Sequence, residues 1–192
     1  CVAAGSSGLA LRIDVGGPGI KGALVDTRTG TLLSERIKYP TPPGGEPQDV
    51  FQVIGQIVQD AGEQASGLPL GVCVPSVVQT GVTTSAANIS DTWIGLHAEA
   101  ELEAFLGRGI VFLNDADAAG VAEAYYGEAR NEPGLTIVTT LGTGIGSAFL
   151  YDGELLPNTE LGHLEFEGRE AESFLSAKAR ERNNTDWEVW AK

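Results

Sequence analysis

The residues best suited to chemistry are an asparagine and an aspartate, Asn114 and Asp115, in the stretch LNDADAAG. Residues 109–113 are β-rich and almost wholly apolar, which predicts a buried strand. Residues 116–129 are rich in alanine and glutamate, which predicts a helix. A carboxylate between the end of a strand and the start of a helix lies where open α/β sheets present groups to a ligand. The helix dipole there favours the ionised form of the carboxylate. The simpler interpretation is that Asn114 or Asp115 only caps the helix.

A glycine-rich turn follows the first predicted strand, in the stretch DVGGPGIKG. Gly16, Gly17 and Gly19 permit left-handed backbone and a close approach to a bound group. Asp14 ends the strand beside this turn and could hold Mg²⁺ through water. The spacing and the absence of a GK[ST] ending exclude a Walker phosphate loop. An ordinary glycine hairpin is the alternative.

A second glycine-rich turn occurs in LGTGIGSA, at residues 142–146. A GxGxG run is typical of dinucleotide-binding loops, but that fold requires a helix directly after the loop. Here β-type sequence follows, so a hairpin is favoured over a Rossmann loop. The backbone N–H groups of such a hairpin, with the Thr143 hydroxyl, could hold a phosphate.

The elements that must position these residues alternate between strands and helices. The first three predicted strands are joined by short turns, which favours an antiparallel meander. Four prolines predict a loop over residues 39–47, and Gly81 predicts a hairpin turn. The predicted strands are Leu9–Val15, Ile20–Asp26, 31–38, 68–74, 109–113, Leu135–Leu141 and 147–151. The predicted helices are 48–66, 96–106, 116–129, 171–181 and a short one that Thr185 and Glu188 would open as a capping box.

Composition restricts the class of protein. The 192 residues, 42% of them hydrophobic, can bury the core of one large or two small domains. The net charge of −14 argues against broad nucleic-acid binding, which needs a basic surface. No apolar run reaches the ~18 residues that span a membrane, and no signal peptide is recognisable. The only cysteines, Cys1 and Cys73, indicate no disulfide framework, so we expect a cytoplasmic protein.

The ends of the sequence suggest a fragment. There is no methionine at position 1 or anywhere else, and the last predicted helix stops at Lys192 after about two turns. We therefore expect the chain to be part of a longer protein.

The two glycine hairpins with the Asn-Asp pair between them resemble the sugar-kinase branch of the actin-like ATPase superfamily. Within it, the chain is similar to the ROK family (repressors, open reading frames and kinases), and most similar to the actinobacterial polyphosphate/ATP glucokinases. The matching stretches are IDVGGPGIKGALVD, AANISDTWIG, LNDADAAGVAEA, TTLGTGIGSAFLYDGELL and NTELGHLEF. The resemblance implies an α/β fold of two actin-like domains of the ribonuclease H type, with a cleft between them. Their expected extents are residues 1–113 and 114–192, the second domain being incomplete.

The resemblance also implies a role for each matching residue. Asp115 matches the catalytic base that takes the proton from a sugar hydroxyl, and it contacts the sugar. The other positions that match sugar-binding residues are Asn88, Asn114, Glu160, His163 and Glu172. The positions that match the two phosphate turns are Gly16, Gly17, Lys21, Gly142, Thr143 and Gly144. Lys21 could instead only brace its hairpin.

The function that the resemblance implies is phosphoryl transfer from polyphosphate or ATP to the 6-hydroxyl of glucose, with Mg²⁺. The expected partners are glucose and the phosphoryl donor, with neither nucleic acid nor membrane, and the full-length protein is expected to form a homodimer. One alternative is a ROK kinase for mannose, fructose or an N-acetylated amino sugar. Others are a sugar-sensing ROK protein without catalysis and an inactive remnant.

Three departures from the family pattern affect these expectations, the most serious being that the family's later helices, its adenosine-side glycine motif and its closing segment are absent. Pro18 stands where relatives usually carry serine or threonine, which removes a hydroxyl and a backbone N–H. Ser76 replaces a common glycine in the strand-end turn VPSVV. Many relatives bind zinc through the histidine that matches His163 and through following cysteines, but no cysteine follows here, so we predict no zinc.

Overall fold

The first strand, β1 (Leu9–Val15), lies inside a six-stranded sheet. A computed structural model describes residues 8–166 and 168–191 of the chain. It divides the chain into two compact units, the first ending at Asp115 and the second beginning at Ala116. In β1, Leu11, Ile13 and Val15 are buried while the residues between them are partly exposed, as the period of two in a strand requires.

The sheet of the first unit combines an antiparallel and a parallel half. On one side β1 pairs antiparallel with β2 (Ile20–Asp26), and β2 also pairs with β3 (Thr31–Leu32) and β4 (Ile37–Tyr39). On the other side β1 pairs parallel with β5 (Leu70–Val74), and β5 pairs parallel with β8 (Val111–Asn114). The carboxyl ends of β1, β5 and β8 therefore lie at one edge.

Two helices belong to the core of this unit. Helix α1 (Pro47–Asp60) begins with a proline, whose fixed φ suits the first helical position. Its buried residues recur at helical spacing, and α2 (Ala98–Leu106) contributes the buried Leu102. The core cluster consists of Leu11, Ile13, Val15, Ile20, Val50, Phe51, Ile54, Ile57, Ala65, Leu70, Val72, Val74, Trp93, Ala98, Leu102 and Phe112.

Between β5 and α2 the chain forms a small hairpin and a long loop. The hairpin consists of β6 (Val78–Gln79) and β7 (Val82–Thr83). Its turn residues, Thr80 and Gly81, both have positive φ, as a type I′ hairpin turn requires. The loop then leads through Asn88 to a short 3₁₀ turn, Asp91–Trp93.

The second unit is built on a three-stranded antiparallel sheet. Its strands are β9 (Leu135–Leu141), β10 (Ile145–Tyr151) and β11 (Glu154–Leu156), in the order β11-β10-β9. Helix α3 (Asp115–Tyr126) packs closely on this sheet. The contact is so close at Gly120 that a Cβ there would overlap the side chain of Ala148. The later elements are a 3₁₀ turn (Leu161–His163), the hairpin β12 (Glu165–Phe166) and β13 (Arg169–Glu170), and the short helices α4 (Glu172–Leu175), α5 (Ala177–Arg182) and α6 (Trp187–Trp190).

The sequence predictions fail mainly where side chains interrupt backbone pairing. The predicted strand 31–38 is split into β3 and β4, because the N–H of Leu24 donates to the Ser34 hydroxyl (3.1 Å) and not to a backbone carbonyl. The predicted helix 171–181 is split at Ser176, whose side chain caps α5 by accepting from the N–H of Ala179. The cap of α6 is Asp186, and not Thr185 as predicted.

Helix and strand ends elsewhere differ by a few residues. The predicted helix 48–66 ends at Asp60, before Gly62, which has a positive φ of 68°. The predicted helix 116–129 begins one residue earlier and ends at Tyr126.

Among the described residues, none of the helices is both long enough and apolar enough to cross a membrane.

Candidate active site

Three candidate residues of the first unit lie at the edge where the parallel strands end. Asp14 is the penultimate residue of β1, opposite Cys73 of β5, and Cys73 is opposite Leu113 of β8. Asn114 ends β8, and Asp115 begins α3 directly after it. The parallel register therefore brings two carboxylates to one edge from residues a hundred positions apart.

The Asp14 carboxylate has two neighbours on adjacent strands. Its Oδ2 lies 3.9 Å from Nζ of Lys21, the residue opposite it on β2. Its Oδ1 accepts from the Cys73 thiol, with 3.8 Å between sulfur and oxygen. The pKa of this thiol is raised, first by burial and then by the negative charges of Asp14 and Asp115. Cys73 is therefore a neutral donor beneath the edge and not a nucleophile.

The first glycine turn is closed by its own backbone. Gly16 and Gly19 exchange two hydrogen bonds, N–H to carbonyl, at 3.1 and 3.3 Å. The Thr41 hydroxyl donates to the Gly16 carbonyl and fastens the turn from outside. Because Pro18 has no N–H, and no bond is found to the N–H of Gly17 among the described residues, the Gly17 N–H is the turn's available donor.

The glycines of this turn are needed for close approach and not for unusual backbone. None of Gly16, Gly17 and Gly19 has a positive φ, which differs from the freedom that the sequence suggested. A Cβ on Gly19 would come within 3.0 Å of the Tyr39 carbonyl oxygen, and one on Gly17 within 3.1 Å of Cβ of Asn88. The first turn therefore packs directly on a candidate sugar residue.

The loop that carries Asn88 is held at its far side. Asn88 itself is left-handed, with φ 62°, a conformation that asparagine tolerates better than most residues. The indole N–H of the buried Trp93 donates to the Gly45 carbonyl (2.8 Å). The Glu46 carboxylate accepts from the hydroxyls of Ser90 (2.8 Å) and Thr92 (2.7 Å), and these bonds lower its pKa.

Asn114 is oriented by the turn that follows β5. Its side-chain amide donates to the Ser76 carbonyl (3.0 Å), and the Ser76 hydroxyl donates to the Ser85 carbonyl (2.6 Å). Ser76 is only 1% exposed. The serine that departs from the family pattern therefore joins the end of β8 to the loop leading to Asn88.

The second glycine turn is held by residues far along the chain. Leu141 pairs with Ile145, and the N–H of Gly142 donates to the Gly144 carbonyl (3.0 Å) across the turn. The Glu172 carboxylate accepts from the N–H of Ile145 (3.1 Å) and lies against Gly144. Thr143 occupies the middle of the turn. Glu172, which the resemblance relates to sugar, thus also contacts this turn.

Glu160 and His163 belong to one short segment of the second unit. Nε2 of His163 lies 3.9 Å from a Glu160 oxygen, and its Nδ1 lies 3.6 Å from an oxygen of Glu170. Single ligand atoms of His163, Glu170 and Glu172 all lie within 4.8 Å of one another, a group that could hold a cation. It offers zinc no thiolate, and the absence of zinc stays a prediction.

Comparison with known proteins identifies the family. The model of the ROK family matches residues 10–178 of the chain. This chain belongs to the ROK family. The mixed α/β architecture is accordingly that of the ROK sugar kinases, with the actin-like ATPase fold, which confirms the expected fold class.

Named relatives within the ROK family include polyphosphate-dependent kinases. The polyphosphate glucokinase of Mycobacterium tuberculosis is 48% identical over 94% of this chain and 67% of its own length. That of Mycobacterium leprae is 45% identical over 94% of this chain, which spans 55% of the relative. The crystal structure of the inorganic polyphosphate/ATP-glucomannokinase from Arthrobacter sp. strain KM superposes with a TM-score of 0.91, at 46% identity over 95% of this chain and 74% of the other.

Several residues that shape this ROK site were not identified from the sequence. Thr41 fastens the first turn, Glu46 holds the Asn88 loop, and Ser76 orients Asn114. Each acts through a partner that is distant in sequence, so neither spacing nor periodicity marks it. A proline-rich loop and a departure from a family glycine were the only signals.

Proposed function

We propose that this protein transfers a phosphoryl group from polyphosphate or ATP to the 6-hydroxyl of glucose. The observation that carries the proposal is the strand edge where Asn114 ends β8 and Asp115 follows it, beside Asp14 and the first glycine turn. The 48% identity to polyphosphate glucokinases over most of the chain supports the same activity.

Asp115 acts as the general base in this proposal. Its carboxylate takes the proton of the sugar hydroxyl as the hydroxyl oxygen bonds to the terminal phosphorus of the donor. The bond between that phosphorus and its bridging oxygen breaks, and the bridging oxygen leaves with the shortened donor. Because such transfer is mostly positioning and charge neutralisation, a weakly basic carboxylate suffices. Asn114, oriented by Ser76, and Asn88, packed on Gly17, hold sugar hydroxyls.

Magnesium fits the same edge. Asp14, near the carboxyl end of β1 and beside the first glycine turn, provides carboxylate oxygens, the ligand type that Mg²⁺ prefers. When bound there, Mg²⁺ would neutralise charge on the donor phosphates. The side chain that would hold it, through water, is that of Asp14.

The two glycine turns bind the donor phosphates in this proposal. The first offers the Gly17 N–H and the Lys21 ammonium, and the second offers the backbone and hydroxyl of Thr143. The net charge of −14 makes a long basic groove for an extended polyanion harder to build, and ATP and polyphosphate are both proposed donors. We propose that the enzyme acts in the cytoplasm.

A second acceptor follows from one relative. The Arthrobacter protein, 46% identical, is described as a glucomannokinase. We therefore include mannose as a second candidate acceptor, to be compared with glucose under each donor.

The test is a phosphorylation assay on the full-length protein, with each pairing of ATP or polyphosphate with glucose or mannose. Asp115→Asn should lower kcat by about 10²–10⁴, the usual contribution of a general base, while glucose affinity stays within a few-fold. The control is Asp152→Asn, an exposed aspartate in the β10–β11 turn, which should retain wild-type kcat. Near-normal turnover by Asp115→Asn would contradict the assignment of the base.

A further inference from the structure

A second aspartate of the LNDADAAG stretch, Asp117, has no role in the chemistry proposed above. It lies in the first turn of α3 and is only 3% exposed. Burial raises the pKa of its carboxyl group, and a backbone N–H that donates to it opposes the rise. Asp115 and Asp117 are two residues apart, so their side chains leave the helix roughly 200° apart. Asp117 therefore faces different neighbours from Asp115.

The donor to Asp117 is the backbone of a residue 41 positions away. Oδ2 of Asp117 accepts from the N–H of Asn158, at 2.9 Å. Asn158 is left-handed, with φ 62°, and it begins the segment 158–163, which carries Glu160 and His163. This hydrogen bond fixes the backbone of Asn158 in its left-handed conformation against α3.

The next residues of this segment are held by the buried Ser147 of β10, which is 2% exposed. Its hydroxyl donates to the Thr159 carbonyl and accepts from the N–H of Leu161 (2.9 Å). The Thr159 hydroxyl donates in return to the Ser147 carbonyl (3.2 Å). Backbone groups on both sides of Glu160 are therefore bound to one strand residue.

Gly162 completes the attachment. A Cβ at this position would overlap the Ile145 carbonyl oxygen, so the segment can lie against β10 only with glycine there. Ile145 is also the residue whose N–H donates to Glu172 at the second glycine turn. Helix α3 and strand β10 thus hold the segment from Asn158 to Gly162, and Glu160 and His163 project from it.

We propose that Asp117 and Ser147 are positioning residues that fix Glu160 and His163 for sugar binding. The proposal rests on the proposed function, since it assigns the sugar as the ligand of Glu160 and His163. Neither Asp117 nor Ser147 touches the reacting atoms; they act through the backbone of residues 158–161. Losing either should weaken acceptor binding and leave donor binding unchanged.

The experiment compares glucose and ATP dissociation constants, by calorimetry, in the full-length wild type and its variants. Asp117→Ala should raise the glucose Kd by about tenfold or more, which corresponds to the loss of one hydrogen bond to a charged group. Asp117→Asn should stay within about threefold of wild type, because an amide oxygen still accepts from the Asn158 N–H. Ser147→Ala should resemble Asp117→Ala. The ATP Kd should change less than twofold in each.

The matched control is Asp152→Ala. Asp152 accepts from the N–H of Gly134 (2.7 Å), which is the same kind of bond in the same unit. It joins the residue before β9 to the turn after β10, away from residues 158–163 in sequence. Its loss should alter neither dissociation constant. If Asp117→Ala and Ser147→Ala bind glucose as tightly as wild type, or if glucose and ATP affinities fall together, the positioning role is wrong.

Hydrogen–deuterium exchange separates this inference from the proposed function. Amides of residues 158–163 should exchange about tenfold faster in Asp117→Ala than in wild type or Asp117→Asn, with no glucose present. If the wild type binds no glucose but the amides of residues 158–163 still exchange faster in Asp117→Ala than in wild type, the proposed function is refuted. The attachment of the segment by Asp117 is then retained. Unchanged exchange in both Asp117→Ala and Ser147→Ala would overturn the inference by itself.

Discussion

The two strand–glycine turn–strand hairpins of this chain look alike in sequence but are held differently. The first turn is closed by two bonds between Gly16 and Gly19, and its glycines permit close packing on Tyr39 and Asn88. The second has a three-residue loop, and its neighbours are Glu172 and the backbone of Lys178, which donates to the Gly142 carbonyl. The first turn is thus closed by its own backbone, with one further bond from the Thr41 hydroxyl, whereas Glu172 and Lys178 hold the second.

The strands that carry the two turns also differ in how many apolar side chains are buried around them. Strand β1 lies inside a sheet whose buried side chains are large and numerous. Strand β9 is at a sheet edge and leaves Leu135, Ile137 and Leu141 about half exposed. Among described residues from Ala116 onward, the buried apolar side chains are four alanines and Leu150. Since apolar burial is the main stabilising term, the first unit should be the more stable.

The largest expected effect is on the core of the first unit. Phe51→Ala removes a fully buried ring that packs edge-on against Trp93 (centroids 5.8 Å apart) and should cost about 3–5 kcal/mol of unfolding free energy. Leu150→Ala in the second unit should cost less, about 2–3 kcal/mol, because its small neighbours can collapse around the cavity.

Urea unfolding followed by hydrogen exchange of the β1 amides and of the β10 amides measures the two losses separately. Val111→Ala, at a side chain that is 44% exposed, is the control and should change stability by less than about 0.5 kcal/mol. A greater loss of unfolding free energy from Leu150→Ala than from Phe51→Ala would contradict the prediction that the core of the first unit contributes more stability.

The next effect concerns the hydrogen-bond donors that each glycine turn offers to the phosphates. Pro18→Thr adds an N–H and a hydroxyl to the first turn and makes it more like the second, which has Thr143. One further hydrogen bond to a phosphate should lower the donor KM by about tenfold. Glucose affinity should change less than twofold, because the Pro18 side chain is exposed. The measurement is a pair of titrations, donor and glucose; a change in glucose affinity alone would show that this turn does not contact the phosphates.

The smallest effect tests the packing of the turns on their neighbours. Gly17→Ala places a Cβ about 3.1 Å from Cβ of Asn88 and should displace that left-handed residue by a few tenths of an ångström. We expect the glucose Kd to rise about threefold, less than one lost hydrogen bond. Gly142→Ala meets nothing within 4 Å and should leave the glucose Kd unchanged. Equal effects from both substitutions would remove the distinction between the turns.

The sequence determined the parts of this protein that depend on near neighbours. The strands predicted at Leu9–Val15, Ile20–Asp26 and Leu135–Leu141 have the bounds that the structure gives β1, β2 and β9. Asn114 and Asp115 lie where a strand ends and a helix begins, as predicted. Family membership, confirmed by comparison, follows from the same local stretches.

Only the tertiary structure decided which distant residues meet. The pairs Asp117–Asn158, Glu172–Ile145 and Asn114–Ser76 are separated by 41, 27 and 38 positions. Each joins a side chain to a backbone group: Asp117 and Glu172 accept from an N–H, and Asn114 donates to a carbonyl. Periodicity records which face of an element is buried, but it does not record which partner lies across the fold, so these contacts had no signature in the sequence.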